Sequence, residues 1–375
     1  MTTTTRPTVQ ESFDAGTVRR LAETRGICLS IFLPDQRPGA STGTHRSVLR
    51  QLTREAQATI SGASEWLEPL HALAEDEKLG IGGPGLAVFC STRGVECYRA
   101  PDIKKAELFV ASHFHLTPLL PLSSTPRDLF ILGISRKRMR LCRYASGELT
   151  EVPWPEGVAA SLDDAEGGRV DSTGNHASSG VSPSATLSVQ FGSPNRPDHE
   201  GAGHHMTHFF RMVDAGLAPL LARLPLLLGG VAEEIAAYRR AAKYHPLLSE
   251  EISGSMEHMT ASEIAVLAHA AAITAYFEES AKALAACHAI KDPLKKLKDP
   301  LTIVRAASAG RVHRLCVREG AVFGGQLIGE LDFAKRDSED LINAAVAETL
   351  HTGGEVFVVR AKEMPDELII AALRY

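Results

Sequence analysis

Between Arg127 and Tyr144 the chain reads RDLFILGISRKRMRLCRY, and this stretch limits the folds open to it more than any other. Leu129 to Ile134 is a run of apolar residues with one glycine at strand length. Ser135 to Arg138 is a polar turn, and Met139 to Tyr144 alternates methionine, leucine and arginine. The pattern predicts a hairpin whose first strand is buried on both faces and whose second has one wet, basic face. HFHLTPLLPL precedes the hairpin, and ELTEVPWPEGV follows it as a third short strand closed by prolines.

A chain of 375 residues exceeds one ordinary core, and at roughly 100 to 200 residues per domain it holds two or three. Its 44% apolar and 23% charged residues are those of a soluble globular protein. A net charge of -5 supplies no bulk attraction to nucleic acid, so any such binding must come from local patches, and DNA is not an expected partner. The six cysteines, at positions 28, 90, 97, 142, 287 and 316, form no CxxC pair. Several lie in apolar strand-like runs, which suits reduced core thiols in a cytoplasmic protein. MTTTTRPTVQ lacks the apolar core of a secretory leader. No apolar run approaches the roughly 18 residues of a membrane span; Leu217 to Gly230 comes nearest and is broken by Arg223 and two prolines. No membrane partner and no cofactor are expected.

Three domains emerge along the chain. Residues 1–107 read as a small α+β domain: a helix from Phe13 to Thr24, a strand from Ile27 to Leu33, helices from Arg46 to Ile60 and Glu65 to Glu77, then strands Leu86 to Ser91 and Val95 to Arg99. The glycines at 80, 82, 83 and 85 do not form GxxxxGK[ST] and lead into a strand, so they read as a turn and not a phosphate loop. Residues 108–258 hold the hairpin and a long Gly, Ser, Pro, Asn and Asp-rich loop, 163–203, with few large apolar residues to offset its ordering entropy. A helix follows from His204, then a strand Leu226 to Val231 and a helix from Glu233 to Tyr244. In residues 259–375 an Ala-rich segment, Ala261 to Ile290, reads as one helix or two. Beyond it helix and strand alternate to a closing apolar strand ELIIAALRY, which indicates an α/β/α sandwich.

Two groups of side chains carry candidate chemistry. His199, His204, His205 and His208 cluster where the loop meets its helix. The i, i+4 spacing of His204 and His208 is one that zinc sites use, but HHxxH lacks the glutamate of HExxH. Solvated histidines are the default there, no metal is expected, and contact with RNA phosphate stays open. The second group is basic: Arg136, Lys137, Arg138, Arg140 and Arg143 on the hairpin, a stripe with Arg50 and Arg54, and Lys295, Lys296 and Lys298 in KDPLKKLKDP. Such clusters are mostly solvated faces; where they do bind RNA they act through phosphate.

ICLSIFLP, GPGLAVFCSTRGVECY, HFHLTPLL leading into RDLFILGISRKRMRLCRY, LPLLLGGVAEEIAAYRRAA and GGEVFVVRAKEMPDELIIAALRY occur in an order that resembles the bacterial branch of the archaeo-eukaryotic class I release factor family, relatives of Pelota. The resemblance implies a middle domain of ribonuclease H-like fold and a C-terminal domain like the ribosomal proteins that bind kinked RNA. It also implies a ribosome, rRNA or tRNA partner and, with it, a translational GTPase. Release factors of that family hydrolyse peptidyl-tRNA through Gly-Gly-Gln on a middle-domain loop. Here Gly324-Gly325-Gln326 stands in the third domain between strand-like AVF and LIGELDF, where a turn is the simpler reading, and the middle loop offers only Gly167-Gly168 followed by Arg169. The expectation is therefore a release-factor-like, non-catalytic ribosome-associated protein of rescue, stalling response or dormancy. The alternatives are a peptidyl-tRNA hydrolase with an atypical loop and a stress-linked protein-binding scaffold. A nuclease is disfavoured, since the hairpin offers only Asp128 where two metal ions need several carboxylates.

Overall fold

Alternation along the strands decides the layers. The computed structural model describes residues 8–10, 13–36, 45–60, 66–76, 83–125, 128–135, 137–145, 148–167, 199–328, 332–334 and 339–375. They divide into two compact units, Met1–Thr125 with Tyr276–Tyr375, and Pro126–Ala275.

The chain opens with β1 (Val9–Gln10), α1 (Ala15–Ala22), β2 (Cys28–Leu33), α2 (His45–Thr59), α3 (Glu68–Ala74), β3 (Leu86–Ser91), β4 (Gly94–Arg99), β5 (Glu107–Ala111) and α4 (Leu119–Ser124). The five strands form one sheet in the order β1-β4-β3-β2-β5. Leu29, Ile31 and Leu33 of β2, with Val88 and Cys90 of β3, pack with Leu49, Leu52, Leu70 and Leu73 from α2 and α3. Cys28, Phe32, Ala87 and Phe89 belong to a separate cluster with Val18 and Leu21 of α1 and Leu119 of α4. The period of two thus sends alternate residues to opposite helical layers. The glycine-rich segment ends in a tight backbone crossing: Gly85 N donates to Asp35 Oδ1 at 2.7 Å, and a Cβ there would lie 2.6 Å from the carbonyl oxygens of Leu33 and Ala100. Only glycine fits such an approach.

The unit Pro126–Ala275 contains β6 (Asp128–Ile134), β7 (Arg140–Ala145), β8 (Glu148–Val152), α5 (Leu162–Gly167), α6 (His199–Leu221), β9 (Leu226–Gly230), α7 (Ala232–Ala241), β10 (Leu247–Ser253) and the first half of α8 (Ala261–Ala289). Its sheet order is β10-β9-β6-β7-β8, with β6, β9 and β10 parallel and β7 and β8 antiparallel. Three consecutive antiparallel strands, extended on the first by two parallel ones, are the ribonuclease H-like arrangement. As the sequence predicts, β6 is buried on both faces: Phe130, Leu132 and Ile134 pack with Phe209, Val213, Leu217 and Tyr238, and Leu129 and Ile131 with Ile264, Ala268 and Ala272 of α8. The second strand departs from expectation. Instead of one wet, basic face, β7 is buried on both sides, Leu141 in the first cluster and Cys142 and Tyr144 in the second. The reason is α8, a second helical layer on the face expected to be solvated. At the end of β9 a Cβ on Gly229 would lie 2.1 Å from Met256 Sδ, so the carboxyl end of the central parallel pair is filled by that methionine. Sequence reading missed β10; Arg239 holds it, donating to the carbonyls of Leu248, Ser249 and Glu250 at 2.8, 2.8 and 3.1 Å.

α8 is one helix. The remaining elements are β11 (Lys296–Leu297), α9 (Pro300–Ser308), β12 (Val312–Arg318), β13 (Gln326–Ile328), β14 (Asp332–Ala334), α10 (Leu341–His351), β15 (Glu355–Val359) and β16 (Ile369–Leu373). The order β11-β16-β12-β15 places Leu315, Val317, Val356, Val358, Ile369 and Ala371 with α9 and α10. Cys316, Val359, Ile370 and Ala372 pack with Ala283, Leu284 and Cys287 of α8, which completes the expected α/β/α sandwich. The segment AVF, expected as a strand, is not one. Phe323 N donates to Asp340 Oδ1 and Leu341 N to the Phe323 carbonyl, both at 2.9 Å, so the residues of the α10 cap hold this segment outside the main sheet. Among the described residues no helix is long and apolar enough to cross a membrane.

Candidate RNA-binding surface

The tip of the β6–β7 hairpin is set by two anchors. On its entry side Ser135 Oγ accepts from Lys137 N at 3.3 Å, the side-chain-to-backbone bond that turns favour. On its exit side Met139 is buried and its amide donates to the Ala160 carbonyl at 2.7 Å. With Met139 drawn into the core, Lys137 and Arg138 stand exposed. Among the described residues neither has a carboxylate within ion-pair distance. Arg136 lies outside the described residues.

The arginines of the stem are in another state. Arg140 Nη2 donates to Glu151 Oε2 at 2.9 Å, an interaction that strengthens the hold of Arg140 on its proton. Arg143 Nη2 donates to Asp128 Oδ2, also at 2.9 Å. Each pair is diagonal across neighbouring strands: Cys142 stands opposite Glu151, and Ala145 opposite Asp128. By strand parity the two arginines occupy opposite faces. Asp128, the sole carboxylate the hairpin offers for metal chemistry, is therefore engaged by a guanidinium. No group of three or more metal-ligating side chains occurs among the described residues.

The other candidates divide in the same way. Arg50 grips Glu75 with two bonds, Nε to Oε1 at 2.8 Å and Nη2 to Oε2 at 2.7 Å, and with Arg46 nearby it lowers the Glu75 pKa. Arg54, one turn on, is exposed. Lys298 Nζ lies 2.6 Å from Glu367 Oε1. Lys296 Nζ donates to the carbonyls of His288 and Ile290 at 3.1 and 2.8 Å, satisfying the end of α8, while Lys295 is exposed. These two groups belong to the unit formed by Met1–Thr125 and Tyr276–Tyr375. What sequence reasoning missed was the acidic partners. The pattern of ELTEV predicts a strand, but only its register with β7 brings Glu151 to Arg140.

The loop candidates are placed only in part. Gly167 ends α5, and Gly168, Arg169 and the rest of 168–198 lie outside the described residues. α6 starts at His199, earlier than the predicted His204; the side chains of both lie outside the described residues. His205 and His208 are exposed. Gly324 bridges to Asp340, Gly325 has φ +153° and donates its amide to the Glu339 carbonyl at 2.8 Å, and Gln326 begins β13. The tripeptide thus leads into a short hairpin beside the start of α10.

Comparison with known proteins follows the boundaries of the second unit. Residues 127–274 match the profile of bacterial archaeo-eukaryotic release factor family 6, nearly coextensive with Pro126–Ala275. No curated protein matches the chain. Among solved structures, Archaeoglobus fulgidus Pelota is 9% identical, over 96% of this chain and 92% of that one, with a TM-score of 0.38. The archaeal translation termination factor aRF1 is 13% identical over 97% and 99%, with a TM-score of 0.24. S. cerevisiae Dom34 is 10% identical over 75% and 73%, with a TM-score of 0.34. The similarity to the bacterial archaeo-eukaryotic release factor family spans residues 127–274 of the 375.

Proposed function

We propose that the protein is a non-catalytic, release-factor-like factor of the cytoplasm that associates with the ribosome in rescue, stalling response or dormancy, and that it does so through RNA phosphate. The observation that carries this reading is the hairpin tip in the family-matched unit. Lys137 and Arg138 are presented to solvent between a serine-stabilised turn and a buried methionine, whereas Arg140 and Arg143 are held by carboxylates. Exposed cations on an anchored tip bind phosphate without reading sequence. Arg54 and Lys295 offer further exposed cations, and Arg136 is grouped with the tip by sequence. A translational GTPase is a proposed second partner.

The test is co-sedimentation with ribosomes across a salt series, beside a peptidyl-tRNA hydrolysis assay on the same preparation. Binding should weaken as salt rises, because each phosphate contact releases counterions. Replacing Lys137 and Arg138 together by alanine should flatten the dependence of log affinity on log salt by up to about 2. The expected preparation binds and does not hydrolyse. Hydrolysis that survives Gln326→Ala would favour an atypical catalytic loop, and absence of ribosome binding at every salt concentration would refute the proposal.

A further inference from the structure

All six cysteines are buried and reduced, and four of them share one electrostatic fate. Burial pushes the thiols of Cys28, Cys90 and Cys97 up to about 11, 12 and 12 and also raises Cys142. Buried thiols of this kind are inert. Cys287 and Cys316 differ because they meet. Cys287 lies in the last turn of α8 and Cys316 on the interior strand β12, with sulfurs 3.9 Å apart and within hydrogen-bonding distance. Either thiol can donate to the other, and the contact lowers the pKa of Cys287 and raises that of Cys316. Arg314 and Lys296 add positive charge toward Cys287. The result is one favoured thiolate with a second thiol already in contact.

We propose that Cys287 and Cys316 are a redox-active pair that closes to a disulfide when the protein meets a hydroperoxide. The Cys287 thiolate attacks the peroxide O–O bond, forming the sulfenic acid and expelling hydroxide, which takes the Cys316 proton to give water. The Cys316 sulfur then displaces the sulfenic hydroxyl as hydroxide, which a proton from solvent converts to the second water. For hydrogen peroxide the sum is two thiols and one peroxide to one disulfide and two waters. The sulfurs must close from 3.9 Å to about 2.05 Å. Access comes at the helix end: Ala286, His288 and Ala289 around Cys287 are exposed, α8 stops at Ala289, and terminal turns open more readily than helix interiors. The bond would tie the last turn of α8 to the middle of the C-terminal sheet.

The full-length protein is treated in its native state with hydrogen peroxide, alkylated after denaturation without reductant, digested and mapped by mass spectrometry. The expected product is a cross-linked peptide pair holding Cys287 and Cys316, reversed by dithiothreitol, with Cys28, Cys90, Cys97 and Cys142 recovered as alkylated thiols. Cys316→Ser should stop the reaction at a dimedone-reactive sulfenic acid on Cys287, and Cys287→Ser should abolish the cross-link. Recovery of all six thiols under conditions that oxidise free glutathione would overturn the proposal. So would oxidation of any other cysteine ahead of Cys287, or accumulation of sulfinic acid in the unsubstituted protein. The peptide map of the unsubstituted protein decides the matter even if a variant does not fold.

Discussion

The two units bury polar groups in opposite ways. In Pro126–Ala275 the buried residue Asp214 of α6 is surrounded by donors: its carboxylate accepts from Tyr238 Oη at 3.2 Å and from the amides of Lys243 and Tyr244 at 2.8 and 3.2 Å. The arrangement closes the end of α7, and burial together with the Asp214 carboxylate pushes the Tyr238 hydroxyl pKa up. In the other unit His115 is buried and stacked on Phe109 with ring centroids 3.9 Å apart; burial lowers its pKa to about 4. One core keeps a carboxylate by supplying hydrogen bonds, and the other keeps an imidazole by making it neutral. Both are routes around the cost of an unpaired buried charge.

The sharpest way to break the contrast is Asp214→Ala, which strands a tyrosine hydroxyl and two amides. It should cost about 4 kcal/mol, read as a lower urea midpoint, with probes in the second unit responding most. The histidine predicts a pH dependence. Above pH 6.5 the folded and unfolded forms are both neutral at His115 and stability is full. As pH falls toward about 4 the unfolded chain takes up the proton first, so stability drops by about 3 kcal/mol. Thermal melts of His115→Phe should lose most of the slope between pH 6.5 and 5, leaving the smaller contribution of His45, whose pKa burial also lowers. A steep slope retained in that variant would assign the effect elsewhere.

A third test uses an uncharged counterpart. Asn343 Nδ2 donates to the Phe114 carbonyl and its Oδ1 accepts from Leu116 N, each at 3.0 Å, joining the segment after β5 to α10. Asn343→Ala should cost about 2 kcal/mol at all pH values, separating hydrogen-bond loss from titration. At the surface the effects shrink. Arg143→Ala removes a half-exposed pair with Asp128 and should cost less than about 1 kcal/mol. The Lys137 and Arg138 double substitution should leave stability within about 0.5 kcal/mol while altering the salt dependence of ribosome binding.

Legibility followed locality. β6 was readable because Leu129 to Ile134 is apolar at every position but one, and the turn at Gly85 because glycines clustered before a strand. β10 was not readable: LLSEEIS is half polar, and its carbonyls are held by Arg239 from the preceding helix. The expected wet face of β7 failed because Arg140 and Arg143 outweighed Cys142 and Tyr144 in the pattern, and the helix covering those two begins more than a hundred residues later.

What the sequence by itself determined is the set of layers: strand alternation, helix caps and glycine turns depend on neighbours in the chain, and neighbours are written in order. Only the tertiary structure decided which cations are free and which cysteines meet. Arg138 and Arg140 are near neighbours of the same type, yet one is exposed and the other bonded to Glu151, because strand register alone brings that carboxylate into reach. Cys287 and Cys316 look like four other buried thiols until the packing of α8 on β12 brings their sulfurs to 3.9 Å. Charge pairing and thiol chemistry act over a few ångströms, and distances that short between remote residues exist only once the sheets have formed.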